Sequence, residues 1–326
     1  MTLAAPFPYF GGKRLAAPLI WRALGDPAGY VEPFAGSAAV LLARTLTGRR
    51  VETLNDADGW LVNAWRAIQL APNAVADHAY GPVTEIDYHA RLAWLQECRS
   101  TELVAWLEGD PEAHDAKAAG WWLYVLACGI GDPFGPGPWR VVDGKLRDTR
   151  KVDGNAGQGV NRELPHLGDA GKGVNRELPH LGDAGKGALT AYMRRLSERL
   201  ARVRITCGDW RRVVTPSVLR PGCGGDGARA VFLDPPYATS GDLYAHREDV
   251  GEAVREWCAE APGDLRVVLC GYDDEHDALG WRRIEGRSGS GSGYSTRADN
   301  GRRERLWLSP ACLGAGEQPS LLEDAA

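Results

Sequence analysis

The chain has no run of about 18 apolar residues, the length a membrane-spanning helix requires. Its opening MTLAAPFPYFGGKR also lacks the basic-then-apolar order of a secretory signal. A cytoplasmic protein with no membrane partner is the expectation. The seven cysteines (Cys98, Cys128, Cys207, Cys223, Cys258, Cys270, Cys312) are odd in number and form no C-x-x-C pair or Cys/His cluster. That pattern argues against a disulfide framework and a zinc-type centre, so reduced thiols and no metal are expected. The turn after the first expected strand, EPFAGS, is not G-x-G-x-x-G, and no GKS or GKT loop occurs, so nothing there is built for pyrophosphate. A net charge of −5 excludes a surface coated in positive charge.

What is present is enough for one large α/β domain or a domain with a sizeable insertion: 326 residues, 44% of them hydrophobic. Positive charge is local. Seven arginines, Arg194 and Arg195 among them, lie between Gly187 and Arg212, and seven more, including Arg287 and Arg297, between Trp281 and Leu308. Two readings stand for each cluster, a solvated face or a set of phosphate contacts.

Along the chain, a helix is expected over Leu15 to Leu24, a strand around Tyr30-Val31, a helix from about Ser37 to Leu46, and a strand VETLN ending at Asn55-Asp56. This is the βαβ start of a doubly wound sheet. From Gly59 to Gly129 apolar residues recur at helical spacing, and the tryptophans there (Trp60, Trp65, Trp94, Trp106, Trp121, Trp122) read as core before they read as a base-stacking platform. GIGDPFGPGPWRVVDGKLRD is dense in glycine and proline, and it leads into a 14-residue repeat, GVNRELPHLGDAGK, at Gly159–Lys172 and again at Gly173–Lys186. Each copy carries a basic pair, Arg162 with Lys172 and Arg176 with Lys186. It is either a loop following a nucleic-acid backbone or a duplicated surface loop. A helix over LTAYMRRLSERLARV, strands in VRITC, RAVFL, RVVLC and RERLWL, and a helix from Asp249 to Ala259 complete the core. The expected division is 1–58 with 188–313 as one domain, 59–187 as an insertion, and 314–326 as a loose acidic tail.

In VFLDPPY, Val231 to Tyr237, an apolar strand runs straight into two prolines that cannot continue a sheet ladder. Loops after strand C-termini are where open α/β sheets place ligands. Asp234-Pro235-Pro236-Tyr237 supplies a carboxylate, carbonyls without competing N–H donors, and an aromatic face, and an aromatic amine needs all three. Two acceptors, the Asp234 carboxylate and the Pro235 carbonyl, can each take one N–H and free the nitrogen lone pair, while Tyr237 stacks on the ring. A plain β-turn is the other reading. Near the N-terminus, Glu32-Pro33-Phe34 ends a strand, Gly36 permits a tight turn and Ser37 can cap the next helix. Asp56 follows Glu32 at close to the offset of about 20 residues at which nucleotide-binding βαβ units place a carboxylate on ribose. A nucleoside without phosphates fits this block.

The blocks PYFGGKR, EPFAGSAAV, LND, GDW and FLDPPY, in this order, resemble those of the Dam-like DNA adenine methyltransferases. The resemblance covers roughly residues 7 to 66 and 189 to 310. It implies a Rossmann-like methyltransferase sheet with an inserted, mostly helical and Gly-rich target-recognition region. It also implies transfer of a methyl group from S-adenosyl-L-methionine to the N6 amine of adenine flipped out of double-stranded DNA. By the same resemblance Tyr9, Phe10, Gly11, Gly12 and Lys13 line the methionine end of the cofactor, with the Glu32, Pro33, Phe34 and Gly36 loop beneath it. Asp56 holds the ribose and Asp209 the cofactor adenine, while Asp234, Pro235, Pro236 and Tyr237 receive the target base, Asp234 also bordering the cofactor. DNA contacts are expected from Arg162, Lys172, Arg176, Lys186, Arg194, Arg195, Arg287 and Arg297. Cytosine N4, RNA or single-stranded DNA, and an inactive DNA-binding protein are the other readings. A restriction-modification setting is compatible, and no partner nuclease is identified.

Overall fold

The computed structural model describes residues 3–7, 13–45, 50–97, 101–129, 134, 139–142, 145–148, 181–219, 227–236, 247–285 and 303–314. The first repeat copy, the first eight residues of the second, residues 286–302 and residues 315–326 lie outside them. The chain forms two units, one of 1–5, 9–62 and 199–326, the other of 6–8 and 63–198. The ends of the second unit differ from the 59–187 expected from composition.

The first unit holds α1 (Ala17–Leu24), β1 (Gly29–Glu32), α2 (Ala39–Ala43) and β2 (Val51–Asp56), and takes in the beginning of α3 (Gly59–Leu70). After the second unit it continues with β5 (Val203–Cys207), β6 (Arg229–Leu233), α9 (Arg247–Glu260), β7 (Arg266–Tyr272), β8 (Arg282–Glu285) and β9 (Glu304–Leu308). These strands form one seven-stranded sheet in the order β5-β2-β1-β6-β7-β9-β8. β5, β2, β1, β6 and β7 are parallel, and β9 runs antiparallel to both its neighbours. The chain moves outward from β1 to β2 and β5, then returns to lay β6 against the other side of β1. β1 and β6 therefore flank the point where strand order reverses, and their C-terminal ends open the crevice in which such sheets bind ligands.

The apolar runs form strands because the sheet is covered on both faces. Val31, Val231, Leu233, Val267, Leu269 and Trp307 point to one face, into a core with Val254 and Cys258 of α9 and Trp210. Alternation assigns Tyr30, Phe232, Val268, Cys270 and Leu306 to the other, and all are buried. β8 was not expected: RRIE has three exposed positions, as an edge strand can, and no apolar alternation announces it.

The second unit contains the remainder of α3, then α4 (Pro72–Ala79), α5 (Glu85–Glu97), α6 (Thr101–Gly109), α7 (Ala116–Cys128) and most of α8 (Leu181–Leu200). It also contains an antiparallel pair of strands, β3 (Trp139–Val142) and β4 (Lys145–Asp148), inside the stretch dense in glycine and proline, where no strand was expected. α8 breaks at Gly185, whose φ of 70° interrupts the helical path, inside the second repeat copy. α4 and α7 pack closely at Gly120, where an added Cβ would lie 2.4 Å from His78 Cβ and 2.8 Å from Val75 O. Trp60, Trp65 and Trp122 are buried, the last two against Phe7. Trp94 and Trp121 meet edge to face with the Lys117 ammonium over both rings. Trp106 departs from the core reading and is exposed. Among the described residues no helix is long and apolar enough to cross a membrane.

Candidate active site

Three loops meet at the C-terminal ends of β1, β2 and β5. Asn55 donates from Nδ2 to Pro33 O at 3.1 Å and to Gly208 O at 2.9 Å, and its Oδ1 accepts from the Thr206 hydroxyl. The Ala35 N–H donates back to Asn55 O, and the Gly208 N–H to Asp56 O. One buried side chain thus fixes the spacing of the turns after β1 and β5.

Gly36 has φ 47°, the left-handed region a glycine enters without a Cβ penalty. Its N–H donates to Asp56 Oδ2 at 3.0 Å, while Asp56 Oδ1 accepts the Asp58 N–H at 3.0 Å. Burial pushes the Asp56 carboxyl up to about 6, against the pull of these backbone donors. The carboxylate, with about four lone-pair sites, retains acceptor capacity beyond these backbone donors.

Ser37, expected to cap α2, does not. The cap position is Ala38, left-handed at φ 50° with no side-chain cap bond. The capping carboxylate comes instead from Glu32, whose Oε1 accepts the Leu41 N–H at 2.6 Å and the Tyr30 hydroxyl at 2.5 Å. Glu32 is 1% exposed, and burial drives its carboxyl up to about 8. It lies beneath the 33–38 turn and holds it. Phe34 packs on Trp210 with ring centroids 5.9 Å apart. Asp209 is exposed at the end of β5, where it caps the turn Trp210–Val213 by accepting the Arg211 N–H at 2.7 Å.

Asp234 follows β6. Alternation places it on the Phe232 face, the face of Cys270 and Glu304, because Leu233 pairs with Leu269 and Tyr272 with Glu304. Lys13 reaches this row from the turn that enters α1, where its carbonyl accepts the Ala17 N–H. Its Nζ lies 2.9 Å from Asp234 Oδ2 and 2.8 Å from Glu304 Oε1. Lys13 is 4% exposed and Glu304 2%. Burial pulls the lysine down, but the carboxylates of Asp234 and Glu304 outweigh it and hold the ammonium well above its ordinary range. Cys270 hydrogen-bonds Asp234, and its thiol is pushed up by burial first and by Asp234 next. Pro235 is buried and Pro236 exposed.

Of the expected site residues, Lys13, Glu32, Pro33, Phe34, Gly36, Asp56, Asp209, Asp234, Pro235 and Pro236 are placed at the C-terminal edge of this sheet. Tyr9, Phe10, Gly11, Gly12 and Tyr237 lie outside the described residues. So do Arg162, Lys172, Arg176, Arg287 and Arg297 among the expected DNA contacts. Lys186 pairs with Asp77 and Arg194 with Asn73, and Arg195 lies over the Tyr192 ring. Arg199, from the same cluster, is structural: it binds both oxygens of Glu52 and the Leu41 carbonyl. Sequence reasoning missed Glu304, Asn55 and Cys270. Glu304 was hidden as one acid among arginines, though a lone acid opening the apolar strand ERLWL was a signal.

Neither a protein-family model nor a curated protein matches the chain.

Proposed function

We propose that the chain is an S-adenosyl-L-methionine-dependent DNA methyltransferase of the Dam-like kind, with a Rossmann-like catalytic unit, acting on the N6 amine of a flipped adenine. The observation that carries this reading is the contact of Lys13, from the FGGK block, with Asp234, from the DPPY block. It lies beside the strand-order reversal and on the edge that also bears Asp56.

The residues present fit such a cofactor. With Asp209 paired to Arg211, Asp56, Asp234 and Glu304 still outnumber the buried Lys13 along this edge, a balance suited to a sulfonium and unsuited to pyrophosphate. Asp56 accepts ribose hydroxyls, and Phe34 with Asp209 borders the cofactor's adenine. Bound there, the cofactor would supply an electrophilic methyl to the amine lone pair and would leave as a neutral thioether, with one proton to be removed from the amine.

The Asp234 carboxylate and Pro235 carbonyl take the two N–H bonds of the amine and turn its lone pair out of the ring. Asp234 then receives the released proton and passes it to water. Preorganised acceptors of this kind act without reorganising during the reaction.

The test is expression in cells lacking adenine methylation, followed by mass spectrometry of the digested DNA. N6-methyladenine is the expected product. N4-methylcytosine alone would keep the mechanism and overturn the base. Unmodified DNA from cells making folded protein would overturn the DNA-methylation reading.

A further inference from the structure

Lys13 needs one carboxylate to be neutralised, and it has two. Asp234 Oδ2 at 2.9 Å and Glu304 Oε1 at 2.8 Å both lie within ion-pair distance of its ammonium. The second carboxylate is costly. Glu304 is buried, and removing an ion from water costs several kcal/mol even after relaxation. A glutamine in its place would meet the geometry without adding a charge. Among the described residues the cluster thus holds one more buried carboxylate than Lys13 balances, a local conflict of the kind that concentrates at functional sites.

We propose that Glu304 is a positioning residue for Asp234, holding the Lys13 ammonium from the far side so that this cation does not neutralise the acceptor carboxylate. The inference rests on the methyl-transfer reading. Asp234, Lys13 and Glu304 together carry one net negative charge, and that charge faces the amine as it becomes cationic. Without Glu304 the ammonium would sit wholly on Asp234, and the pair would be neutral and a weaker acceptor. The residue acts through strand register: β9 is antiparallel to β7, so its first residue stands beside Tyr272 at the edge where β6 and β7 end. Glu304 need not touch the substrate.

The test compares wild type, Glu304→Gln and Glu304→Asp on duplex DNA with S-adenosyl-L-methionine titrated. Thermal unfolding of each protein is recorded alongside. Glu304→Gln should lower kcat by about 10- to 100-fold while the KM for cofactor and for DNA stays within about threefold, because only transition-state charge is affected. Glu304→Asp, which keeps the charge, should recover most of the lost kcat. An active wild type with an equally fast Glu304→Gln would overturn the role of Glu304 and leave the methyl-transfer reading intact. Folded Glu304→Asp as slow as Glu304→Gln would also overturn it, as would equal losses in kcat, KM and melting temperature. A wild type that folds but methylates no DNA would overturn both.

Discussion

Lys13 Nζ lies 2.9 Å from Asp234 Oδ2, and this contact closes the first unit at the C-terminal edge of its parallel strands by joining the segment before α1 to the loop after β6. Removing the lysine leaves two carboxylates facing one another in a buried place. Lys13→Met should cost about 3–5 kcal/mol of stability, the penalty for breaking a buried ion pair from one side. One of the paired acids would then titrate above its ordinary range. Its folded pKa is raised, so the variant gains stability as pH falls. Urea unfolding at pH 5 and pH 8 checks this, with a larger deficit expected at pH 8.

Glu32 predicts a pH dependence of its own. Its carboxyl is held at about 8 in the fold by burial, against about 4.3 in an unfolded chain. The folded state thus binds the extra proton between those values, and this group's contribution to stability falls as pH rises through that window. The slope is at most about 1.4 kcal/mol per pH unit. Glu32→Gln keeps an acceptor for Tyr30 and Leu41 and removes the proton. It should match wild type near pH 5, exceed it near pH 8.5, and flatten the stability profile between.

The strands were legible wherever burial on both faces left an apolar run, as in VFL before Asp234 and RVVLC through Cys270. β8 was not, because an edge strand with exposed arginines carries no period. The β3–β4 pair lay in a segment so dense in glycine and proline that its two four-residue strands show no apolar period. At the site, the carboxylates Asp56 and Asp234 could be placed at strand ends from spacing alone. The three-way contact of Lys13 could not, since it depends on an antiparallel strand entering beside β7 and on which face Glu304 takes. Ser37 illustrates the same limit: local preference for a serine cap lost to Glu32, which reaches the helix from the neighbouring strand.

Asp56 should govern cofactor affinity. Both of its oxygens already hold backbone N–H groups at 3.0 Å, which aims their remaining lone pairs, and hydrogen bonds to a charged group contribute about 1.5–3 kcal/mol. Asp56→Ala should weaken S-adenosyl-L-methionine binding by about 10- to 100-fold in calorimetry. With its carboxyl near 6, wild-type affinity should be level above that pH and decline below it, and the variant should lose this dependence. Equal affinities of wild type and variant would remove Asp56 from the cofactor site.

Gly120 tests the helical unit independently of any chemistry. It is buried in α7, and the Cβ of an alanine there would stand 2.4 Å from His78 Cβ, 2.8 Å from the Ala79 nitrogen and 2.8 Å from Val75 O. Two of those three atoms are backbone of α4, so relief requires the helices to separate rather than a side chain to turn. Alanine raises intrinsic helix propensity by about 1 kcal/mol over glycine, but overpacking a close helix contact costs about 1–3 kcal/mol or more. The second term should win. Gly120→Ala is expected to lower the unfolding midpoint, whereas Gly109→Ala, at the end of α6 with nothing within 4 Å of the added Cβ, should leave it unchanged or raise it slightly. If the two variants unfold alike, α4 and α7 do not pack through Gly120.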